Sequence, residues 1–80
     1  MNWMKELDKR KAYENLANAI IEQAANDFRE AKRRLQKNAR DAEAEKTYRE
    51  VKRFFRSAWF SRLTPLDGEL LLEKLEEEFA

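Results

Sequence analysis

The chain has 80 residues, 42% of them apolar and 41% charged, and a net charge of +1. It contains no Cys and no His, which excludes a disulfide framework, a thiol nucleophile, an imidazole base and the usual zinc ligands. A single Gly and a single Pro beside two Trp, two Tyr and five Phe argue for helices joined by few turns, and against both a hairpin-rich fold and a disordered chain.

The first predicted element runs from Asp8 to about Lys37. Its apolar residues, Tyr13, Leu16, Ala17, Ile20, Ala24, Phe28, Ala31 and Leu35, recur in steps of three and four, the period of an amphipathic helix. Asp8 is a candidate cap at its start, and Lys and Arg gather in its last turns, where the helix dipole favours them. Trp3, Met4 and Leu7 either extend this helix or fold over it.

Asn38-Ala39-Arg40-Asp41 interrupts the pattern, and Asp41 is the expected N-cap of a second helix over about 42–61. Ala44, Tyr48, Val51, Phe55, Ala58 and Trp59 make its apolar stripe. Phe60 would lie nearly opposite Val51 on one straight helix, so this segment either breaks near Ser57 or is covered on two sides. Thr64-Pro65-Leu66-Asp67 reads as a capping-box variant, with Thr64 as cap and Pro65 as the first helical residue. A third helix is expected over about 65–78, with Leu66, Leu70, Leu71, Leu75 and Phe79 inward. The expectation is an all-α, single three-helix domain over 1–80: one long, one medium and one short C-terminal helix, assembled as an oligomer because so short a chain builds only a thin core.

Several polar residues fit this scheme poorly. With Ile20 at the centre of the apolar face of the first helix, Asp27 falls about 20° away, Arg34 about 40° and Gln23 about 60°. A buried unpaired carboxylate is costly, so Asp27 has a structural partner, Arg34 or Arg56, or lines a ligand pocket with Gln23 and Arg56, or else this face is simply exposed. Asn15, Asn18 and Asn26 lie on the far side, as plain surface or as a second contact face. The run Phe54-Phe55-Arg56-Ser57-Ala58-Trp59-Phe60 suits a small core, a protein hot spot or stacking on a base.

Charge is segregated along the chain. Residues 1–28 carry a net −1, residues 29–62 a net +7 and residues 63–80 a net −5. The basic middle and acidic tail either neutralise each other across packed helices or serve an anionic partner. Lys32, Arg33, Arg34, Lys37 and Arg40 form a basic patch able to contact phosphates, but no nucleic-acid-binding motif accompanies them. No nucleophile–base pair or metal-ligand spacing is present, so neither enzymatic activity nor a cofactor is expected. No apolar run reaches the length of a membrane span, which points to a soluble, cytoplasmic protein.

Leu16-Ala17-Asn18-Ala19-Ile20-Ile21-Glu22-Gln23, Phe54-Phe55-Arg56-Ser57-Ala58-Trp59-Phe60 and Asp67-Gly68-Glu69 together resemble a family of short helical proteins. These are carried by phages, prophages and other mobile elements of Firmicutes and gut bacteria. The resemblance covers about residues 13–78. It implies origin more than activity: small accessory proteins of phages often counter host immunity, some by binding CRISPR effectors and some by trapping nucleotide signals. The expected function is therefore counter-defence by stoichiometric binding, most concretely sequestration of an anionic nucleotide signal by an oligomer. Asn18, Gln23, Asp27, Phe55, Arg56, Ser57, Trp59 and Asp67 are the candidate ligand-binding residues. Arg56 would meet phosphate, Trp59 or Phe55 would stack on a base, and Asn18, Gln23 and Asp27 would hydrogen-bond base or ribose. The alternatives are an inhibitor of a host defence nuclease and, with less support, a nucleic-acid-binding factor.

Overall fold

The structure, a computed structural model, describes residues 3–80, and their side chains from Asp8 onward. The fold is all-α, and the described residues form four helices rather than three: α1 (Trp3–Lys37), α2 (Ala42–Phe55), α3 (Ala58–Leu63) and α4 (Gly68–Glu77). The molecule measures 57 × 20 × 19 Å. A 35-residue helix is about 52 Å long, so α1 alone sets the long dimension. Helix α1 also begins before Asp8, which is therefore an interior residue and not a cap.

The break between α2 and α3 falls at Arg56-Ser57, and Ser57 causes it. Its hydroxyl donates to the Phe54 carbonyl (2.6 Å) and accepts from the Phe60 N–H (3.1 Å), closing one helix and capping the next. The turn lets Phe60 share the core with Val51 instead of pointing the opposite way. Asp41 caps α2 as expected, accepting from the Ala44 N–H at 3.0 Å. The cap of α4 is Asp67, not Thr64: its carboxylate accepts from the Glu69 and Leu70 N–H groups at 3.0 and 3.4 Å. Thr64 instead ends α3 and accepts from the Leu66 N–H at 3.2 Å, which holds Pro65 and Leu66 in the linking bend. A carboxylate that reaches two free amides is the better match to the positive end of a helix.

Helix α2 doubles back along the C-terminal half of α1, and α3 and α4 close over its far end. Phe28 and Phe60 are fully buried, with Val51, Phe55, Leu72 and Leu75 completing the core. The rings pack at an angle to one another: Phe28 with Tyr48 at 5.3 Å, Phe55 with Phe60 at 5.2 Å and Phe54 with Phe60 at 5.6 Å between centroids, spacings that suit aromatic quadrupoles. Gly68 is buried against the main chain of Phe55. By contrast, residues 8–16 of α1 are all exposed, so the N-terminal part of α1 stands clear of the bundle as an arm.

The charge segregation has a structural account. Arg29 meets Glu78 at 3.0 Å, Lys32 meets Glu76 at 2.9 Å, and Arg56 pairs with Glu69. The acidic tail thus folds back onto the basic middle. Such half-exposed pairs each contribute about 0–1 kcal/mol, so they fix the placement of α4 more than they stabilise the core.

Candidate functional site

The side of α1 that meets the core is turned away from the direction centred on Ile20. Ala17, Phe28 and Ala31 are buried, and Ile21, Ala24 and Ala25 pack against the core cluster. The mean direction of these residues is about 70° from Ile20. The rotation moves Gln23 and Arg34 out to solvent and leaves Asp27 half-buried at the margin. The expected inward cluster of acid, amide and arginine is therefore not formed, because Phe28 and not Ile20 anchors the helix.

A groove forms at that margin. Ile20, Gln23, Ala24 and Asp27 of α1 make one wall, and Val51 and Phe54 of α2 with Trp59 of α3 make the other, around a volume of about 440 Å³. Gln23 Nε2 donates to Asp27 Oδ1 at 2.9 Å, which supplies the carboxylate with the donor that an arginine was expected to provide. Trp59 is 55% exposed and rests edge-on against Phe54 at 5.4 Å. Among the described residues the lining includes the carboxylates of Asp27 and Glu50 but no cation. An apolar trough with acidic side chains suits a hydrocarbon face carrying positive charge, and repels phosphate.

The groove thus brings together Gln23, Asp27 and Trp59 of the expected ligand-binding residues and leaves the others elsewhere. Asn18 is exposed on the opposite side of α1. Phe55 is 2% exposed and serves the core, so it offers no face to a base. Ser57 and Asp67 spend their side chains on helix caps. Arg56 projects from the other side of α2, where Glu69 holds it. Arg34 pairs with Asp41 at 3.0 Å and with Glu43 at 3.5 Å. It stays protonated more firmly because Asp41 is beside it, while the Asp41 carboxyl is held below its usual range, first by the Ala44 N–H.

The expected basic patch is also divided. Arg33, Lys37 and Arg40 are exposed, but Lys32 belongs to a polar knot with Tyr48 and Glu76. Its ammonium sits 4.9 Å from the Tyr48 ring centroid and bonds Glu76, while the Tyr48 hydroxyl donates to Glu76. The bond to Glu76 raises the pKa of Lys32, and burial first, then that carboxylate, raises the pKa of Tyr48. Burial by itself would push Glu76 up, but its two donors, Tyr48 and Lys32, prevail and hold it below the ordinary carboxylate range.

A second candidate site has a spacing that is legible in the sequence. Arg49, Lys52, Arg53 and Arg56 recur at i, i+3, i+4 and i+7 along α2 and the turn that follows, which puts all four on one face. With Ser57 they line a shelf of about 460 Å³, and among the described residues no carboxylate lines it. Arg49 reaches Glu45 at 3.8 Å, and Lys52 lies 4.7 Å from the Tyr48 ring centroid. The shelf and the groove occupy opposite sides of α2. No protein-family model, curated protein or solved structure matches the chain. Among the described residues, no helix is long and apolar enough to cross a membrane.

Proposed function

We propose that the chain acts by stoichiometric binding, as a counter-defence protein of a phage or mobile element in the cytoplasm of its host. Its ligand in this reading is an anionic, phosphate-bearing molecule of nucleotide type, held by the outer face of α2. The observation that supports this most directly is the composition of the shelf, four cationic side chains with no carboxylate in its lining among the described residues. Arg49 and Arg56 are already turned to carboxylates, but exposed ion pairs are weak enough for a doubly charged phosphate to displace them. Arg56 keeps the phosphate-binding role expected of it, now beside Arg53 and Arg49 rather than beside Asp27. The protein is proposed to act as an oligomer and without catalysis.

Calorimetric titration with inorganic pyrophosphate, a cyclic dinucleotide and ADP-ribose tests this reading. Saturable binding should weaken about tenfold or more in an Arg49→Ala/Arg53→Ala variant, since charge-assisted hydrogen bonds are worth about 1.5–3 kcal/mol each. Equal affinity in the variant would remove the shelf as the site. A ligand that is a nucleic acid would reveal itself by duplex affinity that falls steeply with salt.

A second reading is direct inhibition of a host defence protein. The exposed Trp59 beside Phe54 favours it, because Trp is the residue type most enriched at interface hot spots.

A further inference from the structure

We infer that the groove beside Trp59 is the seat of the α1 arm of a second copy of this chain, giving a two-fold antiparallel dimer. The inference deepens the oligomeric part of the reading above. It does not depend on anion capture, because the cationic shelf lies on the opposite side of α2.

The arm carries an apolar stripe that stands exposed among the described residues. Tyr13 is 53% and Leu16 59% exposed, and with Ile20 they fall within about 60° of one another around α1. The stripe leads into the groove, whose near wall includes Ile20. Tyr13, Leu16 and Trp59 are three of the five large apolar side chains that stand most exposed among the described residues. A continuous apolar patch of that kind marks an interface.

Charge selects the occupant and its direction. The groove side of α1 ends at the Asp27 carboxylate, while the arm carries Lys9 on the same stripe as Tyr13 and Leu16, about 20° from Ile20. An antiparallel pairing that sets residue 16 against residue 20 also sets residue 13 against residue 23 and residue 9 against residue 27. Leu16 then packs on Ile20, Tyr13 covers Gln23, and Lys9 meets Asp27. The two-fold axis makes each of these contacts twice. A parallel pairing would instead stack Asp27 on Asp27 and Lys9 on Lys9. The overlap from residue 9 to residue 27 is about 27 Å long, flanked on either side by Phe54 and Trp59 of each copy, which gives the layout of a small antiparallel helical bundle.

Sedimentation equilibrium of the full chain tests this directly. The wild-type chain should be a dimer, Leu16→Glu a monomer, and Lys9→Glu and Asp27→Lys should each weaken association about tenfold. The combined Lys9→Glu/Asp27→Lys variant should recover most of the wild-type affinity. All three substitutions lie at exposed or half-buried positions, so circular dichroism should show the bundle retained. A monomeric wild-type chain at about 100 μM, a dimer indifferent to the three single changes, or a double variant no tighter than the single ones would each overturn the proposal. Pyrophosphate titration of the monomeric variant separates this outcome from that of the cationic shelf.

Discussion

Gly68 lies against the main-chain carbonyl of Phe55, and a Cβ at that position would overlap the carbonyl oxygen. The backbone dihedrals of Gly68 are ordinary, so closeness and not conformational freedom makes glycine necessary. Two effects oppose each other in a Gly68→Ala variant. Helix propensity would favour Ala by at most about 1 kcal/mol, whereas forcing α4 away from α2 costs about 1–3 kcal/mol or more. The clash is with main chain, which cannot swing aside, so the variant should be destabilised. Urea unfolding will show a lower midpoint; an unchanged or higher midpoint would mean that α4 does not dock as described.

Ser57 holds the corner between α2 and α3 with one hydroxyl that donates to Phe54 and accepts from Phe60. Ser57→Ala should cost about 0.5–2 kcal/mol, the range for a lost helix cap. Ser57→Asp, which can still accept from the Phe60 N–H, should recover part of that loss. Thermal melts of the two variants against the wild-type chain provide the comparison.

Phe28 is the anchor of α1, with no exposed surface and with Tyr48 and Phe79 against its ring. Truncating such a residue costs about 3–5 kcal/mol, comparable with the whole stability of a small domain. Phe28→Ala should therefore lose most of its cooperative melting transition. Truncation of Leu70, which is 48% exposed, should leave the transition close to its wild-type position.

The pH response follows from the polar knot. Glu76 and Asp41 are held below their ordinary values of 4.5 and 3.8, so what they contribute is present above those values and is lost as pH falls through the lower folded values. Lys32 and Tyr48 are raised above 10.5 and 10.0; their contribution is complete below those values and fades as pH rises through the higher folded ones. The chain has no His or Cys, so no side chain has its ordinary pKa in between. Urea midpoints should be flat from about pH 5 to pH 9 and fall on both sides. Glu76→Gln should make both limbs shallower, and an unaltered profile would mean that the knot contributes nothing to stability.

Much of this architecture was legible in the residues. The three-and-four spacing gave the helices, and Asp41 gave the start of α2. The count of three failed at Ser57, although the position of Phe60 opposite Val51 already required either a bend or a second covering layer. Thr64 and Asp67 were both sound cap candidates, and what separated them was reach: only the carboxylate of Asp67 meets two free amides. The phase of α1 misled because its stripe is wide, and the choice between Ile20 and Phe28 as its centre depends on which neighbour arrives, a fact no single helix contains. The candidate site divided for the same reason. Gln23, Asp27 and Trp59 gather because the turn at Ser57 sets Trp59 against Phe54 on the side of α2 that faces α1, while Arg56 leaves with the outer face of α2.

The short link between α1 and α2 has a kinetic consequence. Asp41 N–H donates to the Asn38 carbonyl at 3.1 Å, and Arg40 N–H to the Asn38 side chain at 3.0 Å, so the chain reverses within a few residues. Closing so small a loop forfeits little entropy, so α2 can join α1 early, and only α4 must return from far along the chain to meet Arg29 and Lys32. Refolding from denaturant should accordingly be rapid, on the order of microseconds to milliseconds, and should leave little time for unfinished chains to meet one another.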